Sequence, residues 1–458
     1  MDKIKNALGK ALGDELVISG QSLRERATSY WDASPTESLL MVCPRSTEDL
    51  SKTLEICHGF NQALVTQGGL TGCVEGAVSL PSEVIVSLEK MTEIEEVDEL
   101  GGTVTVQAGV TLQCLQEALA EKQLLFPLDL GARGSCTIGG NVSTNAGGIN
   151  VLRYGMMRNL VLGLEVVLAD GTVLSSMNYM LKNNAGYDLK QLFIGSEGTL
   201  GIVSRAVLRT YPKMPSRNTA LVALENFEKV LTLLKMAQRE FSGTLSAYEV
   251  MWGEYYDDLT VDGAHRAPMA RNYPFYVIVE LEGACQTRDS EMFQSVLEQA
   301  LESEVIVDAV ITKSGSEREE VWSIRENFEL LLAGQAIYLY DVSLPIKNMS
   351  AYVGDLKQRL EESWSESTCY VFGHIADGNL HLFIRPADEY SSHADVNRIV
   401  YGALEPYQGS VSAEHGIGVE KKPWLAHSRT EQELHLMRTL KKTMDPKNIL
   451  NPGRVIDI

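Results

Sequence analysis

The stretch Gly131-Ala132-Arg133-Gly134-Ser135-Cys136-Thr137-Ile138-Gly139-Gly140-Asn141-Val142-Ser143-Thr144-Asn145-Ala146-Gly147-Gly148 holds six glycines in eighteen residues. Glycine admits left-handed backbone and lets the main chain approach a ligand closely. Successive N–H groups in such loops form nests that bind anions. With Ser, Thr and Asn filling most other positions, 128–148 reads as loop rather than core. A second loop, Gln67-Gly68-Gly69-Leu70-Thr71-Gly72, follows a short strand expected at 63–66. A third is Gly195-Ser196-Glu197-Gly198-Thr199-Leu200-Gly201. None is followed by Gly-Lys-Ser/Thr, and none is a good G-x-G-x-x-G with an acidic residue about 20 positions on. Each alone is as readily a tight turn as a ligand loop. Three within the first 201 residues exceed what turns require, and a ligand as long as a dinucleotide needs several backbone contacts.

Around these loops the pattern is mixed. Residues 46–60 predict an amphipathic helix, capped by Ser46 with Asp49 three residues on and apolar Leu50, Leu54 and Cys57 behind. Strands are expected at 84–88 and 104–108, and a helix at 112–121. Asp170-Gly171 between two apolar runs predicts a hairpin. Beyond Pro212 the text alternates strand and helix: 219–224 with 228–241, 276–282 with 290–303, then a strand at 305–313. That suits an α+β layer with helices on one face of a mainly antiparallel sheet. The expected division is 1–213, 214–415 and a tail, 416–458, that folds back on the first part.

The chain has 458 residues and a formal charge of −21 from 40 basic and 61 acidic side chains. Two or more domains are expected at this length. The acidic balance disfavours nucleic acid and anionic membranes. No apolar run is long enough for a transmembrane helix. Residues 1–10 resemble neither a secretory leader nor a transit peptide, so a cytoplasmic protein is expected. The seven cysteines are odd in number and form no C-x-x-C pair. They read as reduced thiols, mostly small core residues.

Six of the eight histidines lie at or after His374. In Gly373-His374-Ile375-Ala376-Asp377-Gly378-Asn379-Leu380-His381 two imidazoles flank a turn sequence and can converge. Glu414 and His415 follow in Ser412-Ala413-Glu414-His415-Gly416. Two imidazoles and a carboxylate with open positions suit a catalytic divalent metal, with an unligated His415 as base. For any one of these histidines, an ordinary hydrogen-bonded role is the competing reading.

The segments 127–135, 139–148 and Tyr187-Asp188-Leu189-Lys190-Gln191-Leu192-Phe193-Ile194-Gly195-Ser196-Glu197-Gly198 resemble the flavin-binding domain of the vanillyl-alcohol-oxidase superfamily. Within it, residues 40–458 look like the FAD-linked D-2-hydroxyacid dehydrogenases, in the D-2-hydroxyglutarate branch. D-lactate dehydrogenase and the glycolate oxidase subunit are relatives. The likeness implies an α+β chain: a two-part FAD-binding domain and an α+β substrate cap. It implies FAD contacts from Gln67, Gly68, Gly69, Thr71, Gly72, Asp129, Ser135, Gly139, Gly140, Asn141, Thr144, Asn145, Gly147, Gly148, Glu197, Gly198, Gly201, Ile202 and Asn451. The first loop lacks a histidine, so the flavin is expected to be non-covalent. His374, His381 and Glu414 match the family's metal ligands, usually zinc, and His415 its base. Arg325 matches the arginine that holds the substrate's C1 carboxylate. An electron-transfer flavoprotein or a quinone is implied as acceptor, and a homodimer is expected.

Three positions depart from the 2-hydroxyglutarate branch. Where that branch has a lysine, a threonine and an asparagine for the distal carboxylate, this chain has Leu339, Glu329 and Phe383. A buried carboxylate without donors is costly. The expected substrate is therefore a D-2-hydroxy acid with an apolar or aromatic side chain, mandelate-like or lactate-like, with Leu339 and Phe383 lining its pocket. The alternatives are D-2-hydroxyglutarate itself, with Lys347 or Arg271 replacing the lost anchor, and an oxidase that uses oxygen directly.

Overall fold

Ser46 starts the first long helix as its spacing predicts. Its hydroxyl accepts from the Asp49 N–H at 3.1 Å, and Thr47–Gly59 follows with Leu50, Leu54 and Cys57 buried. The computed structural model describes residues 1–261, 265–332, 336–387 and 391–458. They fall into two units: Met1–Gly148 with Tyr154–Lys213 and Glu414–Ile458, and Met214–Ala413 with Ile149–Arg153.

The first unit opens with strands β1 (Val17–Ser19), β2 (Leu40–Val42), β3 (Leu64–Gln67) and β4 (Val84–Ser87). They form a sheet in the order β1-β2-β4-β3, with β2 and β3 parallel to β4. Next come β5 (Ile94–Asp98), β6 (Thr103–Gln107), β7 (Leu124–Leu125), β8 (Val161–Val167), β9 (Val173–Ser176), β10 (Ile202–Arg209) and β11 (Tyr211–Pro212). An antiparallel sheet runs β5-β6-β10-β8-β9, and β7 pairs with β11. The hairpin around Asp170-Gly171 is β8–β9. Its connection is longer than the two-residue turn expected, because pairing stops at Val167 and resumes at Val173. The tail returns to this unit: Leu450 bridges Leu64 in parallel. Buried Lys441 donates to Asp445 at 2.5 Å, Leu450 O at 2.7 Å and Thr199 O at 3.0 Å.

The glycine-rich stretch is not all loop. Ile138–Thr144 is a helix, with Thr137 as its cap, and Ile138, Gly139, Asn141 and Val142 are buried. Composition argues against this helix, since each internal glycine costs about 1 kcal/mol. Packing reverses the balance. Gly139 donates to Ala108 O at 2.7 Å, and a Cβ there would stand 2.6 Å from the Ala108 methyl.

The second unit holds β12 (Ser216–Leu224), β13 (Leu245–Trp252), β14 (Phe275–Gly283), β15 (Asp308–Ile311), β16 (Tyr338–Ser343), β17 (Thr368–Gly373) and β18 (Asn379–Arg385). They form one antiparallel sheet in the order β15-β12-β14-β13-β17-β18-β16. Helices cover both faces, not one as expected. Phe227–Phe241 and Gln286–Glu302 lie on the Tyr248 side, where the Tyr248 hydroxyl reaches Val230 O at 2.6 Å. Gly253–Thr260 and Gly315–Glu326 lie on the other. There Leu221, Ala247, Met251, Ile278, Tyr370, Phe372 and Phe383 form one core with Tyr255, Tyr256, Leu259, Trp322 and Ile324. Period-2 alternation puts Glu249 on this second face, between Ala247 and Met251.

All seven cysteines are free thiols. Cys43, Cys57, Cys136 and Cys369 are buried, and burial pushes Cys57 up to about 12. No helix among the described residues is long and apolar enough to cross a membrane.

Candidate active site

In the first unit the three glycine loops meet one another. Gly69 lies so close to the second loop that a Cβ would stand 1.9 Å from Ser135 O, and one on Gly68 would stand 2.4 Å from the Thr137 hydroxyl. The third loop is tied to the glycine-rich helix by Glu197 N–H to Ser143 O at 2.8 Å. Asn451 joins first loop and third. Its Oδ1 accepts from Thr66 N–H at 2.9 Å, and its Nδ2 donates to Glu197 O at 2.8 Å. Gln67 closes β3, with its amide on Ala77 O at 2.9 Å. Thr144 bonds Gly140 O, Asn145 accepts from the Arg158 N–H, and Asp129 pairs with Arg133. Asn141 and Gly147 are buried, Gly148 would clash with Asp129 O if it carried a Cβ, and Ser135, like Gly72, is exposed. Thr71 is half-buried. Gly201 lies against Val166 and Phe193, and Ile202 is core, so these two can offer a ligand only backbone.

These residues fit a phosphate-bearing dinucleotide. Thr66 Oγ1, at the mouth of the first loop, is buried with no hydrogen-bond partner among the described residues. Gly72 has open space where a Cβ would be.

The Glu197 side chain also holds a segment far along the chain. Its carboxylate accepts from Ile417 N–H at 2.7 Å and Gly418 N–H at 2.9 Å. Burial pushes this carboxyl up, against the pull of those two donors and Lys421. It thereby holds the segment that follows His415, which is half-buried. The segment before Glu414 is held in the same manner: buried Asp341 accepts from the Ala413 N–H at 2.9 Å.

In the second unit, β17 ends at Gly373 and β18 begins at Asn379, so His374 and His381 flank a tight turn. Their ring centroids are 5.4 Å apart. One ligand atom from each of His374, His381 and Glu414, the residue after Ala413, lies within 4.8 Å of the others. Two nitrogens and a carboxylate oxygen at this spacing fit a divalent ion with open positions.

Arg325, in the last turn of Gly315–Glu326, is buried. Its guanidinium carbon stands 4.5 Å from the Phe372 ring centroid, and the Tyr255 hydroxyl fixes its carbonyl at 2.8 Å. Sequence reasoning missed Glu249. One of its oxygens accepts from Arg325 Nε at 2.9 Å, and the other is bonded to His374 Nδ1. Burial alone would raise this carboxyl, but its partners His374 and Arg325 outweigh it and hold it below the usual carboxylate range. The signal was available: a single acid inside the apolar run Leu245-Ser246-Ala247-Tyr248-Glu249-Val250-Met251-Trp252 needs a buried partner.

Leu339 is half-buried and pairs directly with Phe383 across β16 and β18. Phe383 is 5% exposed. It makes edge contacts with Phe328 at 5.2 Å and Phe372 at 5.0 Å. Glu329 is exposed, so its charge is solvated rather than enclosed with these rings. Lys347 and Arg271 are exposed too. Arg385 is half-buried and alternates with His381 and Phe383 along one face of β18. It donates to Leu331 O at 2.6 Å.

Comparison with known proteins identifies the family and the fold. The family profile "FAD binding domain" matches residues 38–176, and "FAD linked oxidases, C-terminal domain" matches residues 213–455. The chain is 40% identical to the mitochondrial D-2-hydroxyglutarate dehydrogenase of Arabidopsis thaliana, over 97% of this chain and 80% of that one. It is 40% identical to the mitochondrial enzyme of the same name from Bos taurus, over 98% and 82%. The fold is also that of p-cresol methylhydroxylase: the TM-score is 0.77 at 16% identity, covering 100% of this chain and 97% of that one. Both sequence relatives are mitochondrial, which overturns the expectation of a cytoplasmic protein. That expectation leaned on the composition of residues 1–10. In the structure Asp2–Leu12 is a helix with Ile4 and Leu8 buried, so its composition reports packing rather than address.

Proposed function

The chain belongs to the FAD-linked D-2-hydroxyacid dehydrogenases of the vanillyl-alcohol-oxidase superfamily, oxidoreductases acting on the CH–OH of a D-2-hydroxy acid, and we propose that its substrate is D-2-hydroxyglutarate. The observation that carries this is the 40% identity to two enzymes of that name over nearly the whole chain. The side chains of the second unit support it. Arg325 presents a planar fork for the C1 carboxylate. Exposed Glu329 removes one of the three objections to a second carboxylate. Arg385 supplies a cation on the strand face that carries His381.

FAD and a divalent ion, zinc by preference, supply the two-electron acceptor and the Lewis acid when bound. FAD is held non-covalently by the three glycine loops and Asn451, and the ion by His374, His381 and Glu414. Arg325 fixes the substrate by its C1 carboxylate and so selects which face of C2 is presented. His415 takes the hydroxyl proton, a step worth typically ~10²–10⁴-fold. Phe372 and Phe383 keep water from the second unit's apolar core. Electrons leave to an electron-transfer flavoprotein or a quinone, and the chain works as a homodimer.

A second reading keeps the chemistry and changes the substrate to a D-2-hydroxy acid with an apolar side chain. The Leu339–Phe383 pair favours it. The test is product analysis on protein supplied with FAD and zinc, using a dye acceptor. D-2-hydroxyglutarate should give 2-oxoglutarate and the L-enantiomer none. Turnover confined to D-lactate or D-mandelate would replace the first reading with the second.

A further inference from the structure

Glu249 has no part in the chemistry read from the sequence, yet it touches both halves of the candidate site. It lies on β13, 1% exposed, 125 positions before His374 and 76 before Arg325 in sequence. One oxygen is bonded to Nδ1 of His374 and the other accepts from Nε of Arg325. Arg325 in turn stacks on Phe372, whose ring centroid is 5.1 Å from that of His381.

From this geometry we propose that Glu249 is a positioning residue that fixes the metal ligand His374 and the carboxylate clamp Arg325 together. The inference rests on the roles proposed above for those two side chains. A carboxylate only accepts, so its bond to His374 places a proton on Nδ1. A cation is then coordinated through Nε2, and an imidazole so held is a better ligand. The same carboxylate occupies Nε of Arg325. That leaves the two terminal amino groups as the pair that can grip a substrate carboxylate end-on. One buried acid therefore sets the distance and angle between the point that holds the 2-hydroxyl and the point that holds C1. A glutamine cannot do both. Its amide has one accepting end and one donating end, while both partners need an acceptor.

The test uses the full-length flavoprotein. Zinc affinity is measured by competition with a chromophoric chelator, and the visible spectrum of the cobalt-loaded protein is recorded, for wild type, Glu249→Gln, Glu249→Asp and His374→Ala. Glu249→Gln should lose ~10- to 100-fold in zinc affinity and shift the cobalt bands, while the flavin spectrum stays that of wild type. Glu249→Asp keeps the charge but is one methylene short, so it should lose affinity too, and it serves if the glutamine variant does not fold. Unchanged zinc affinity and cobalt bands in Glu249 variants, alongside loss in His374→Ala, would overturn the role of Glu249 alone. A wild type that binds neither metal, with His374→Ala indistinguishable from it, would overturn the metal site on which the inference rests.

Discussion

Leu339 on β16 stands directly opposite Phe383 on β18, in register with the pairing of Asp341 and His381 two positions along. Directly opposed side chains on one face lie about 4.5–5.5 Å apart at Cβ. Leu339 and Phe383, two of the three positions at which the sequence leads us to expect a departure from the D-2-hydroxyglutarate branch, are therefore neighbours on one face. The pair sits beside Arg385, which shares the face of β18.

The substrate proposal makes Arg385 the cation for the distal carboxylate. Arg385→Met should lower kcat/KM for D-2-hydroxyglutarate by roughly 10- to 100-fold, the worth of a hydrogen bond to a charged group, and leave D-lactate turnover nearly unchanged. Leu339→Lys should raise kcat/KM for D-2-hydroxyglutarate by adding a second cation. Equal losses on both acids in the first variant would mean Arg385 is only structural, and no gain in the second would remove Leu339 from the pocket.

His415→Ala should keep its flavin spectrum and its metal while flavin reduction by substrate slows by ~10²–10⁴-fold. Rapid-mixing absorbance under anaerobic conditions reads this directly. Reduction at the wild-type rate would take the base role away from His415.

Glu197 is predicted to act on that base from a distance, by accepting the Ile417 and Gly418 N–H groups. Glu197→Ala leaves two backbone donors without their acceptor, at about 1–3 kcal/mol each. Hydrogen exchange at Ile417 and Gly418 should rise sharply in this variant. Protection equal to wild type would show that other groups hold the segment.

A pH dependence of stability follows from Glu280. Burial pushes its carboxyl up, but the hydrogen bonds and charge of Arg318, with Arg217 and Thr219, outweigh burial and hold it below the ordinary 4.5. A carboxylate depressed in the folded state stabilises fully above its unfolded value, and that contribution fades as pH falls through the folded value. Tm should thus drop from about pH 4.5 downward, and Glu280→Gln should show a shallower drop from a lower plateau. Parallel curves for the two proteins would contradict this.

The parts of the fold that were legible in the sequence rest on local chemistry. Ser46 capping Asp49, and the apolar spacing behind it, predict a helix that needs no tertiary information. The run from Gly373 to His381 shows two imidazoles around turn residues, and a turn brings its flanks together wherever it is placed. The helix Ile138–Thr144 was hidden because Gly139 and Gly140 oppose it locally, and only its packing on Ala108 restores it. Glu249 was hidden for a related reason. Its partners come from the turn after β17 and from the helix Gly315–Glu326, so its environment exists only after the sheet has formed. Arg385 was overlooked because the likeness directed attention to three substituted positions, whereas strand alternation from His381 would have reached it.

If D-2-hydroxyglutarate is the substrate, it must reduce the flavin of this protein. The most direct measurement is anaerobic stopped-flow bleaching of the flavin absorbance by D-2-hydroxyglutarate, D-lactate and D-mandelate in parallel. Bleaching by D-2-hydroxyglutarate should be fast and complete, with the other two slower. Bleaching by D-lactate or D-mandelate while D-2-hydroxyglutarate leaves the flavin oxidised would contradict it.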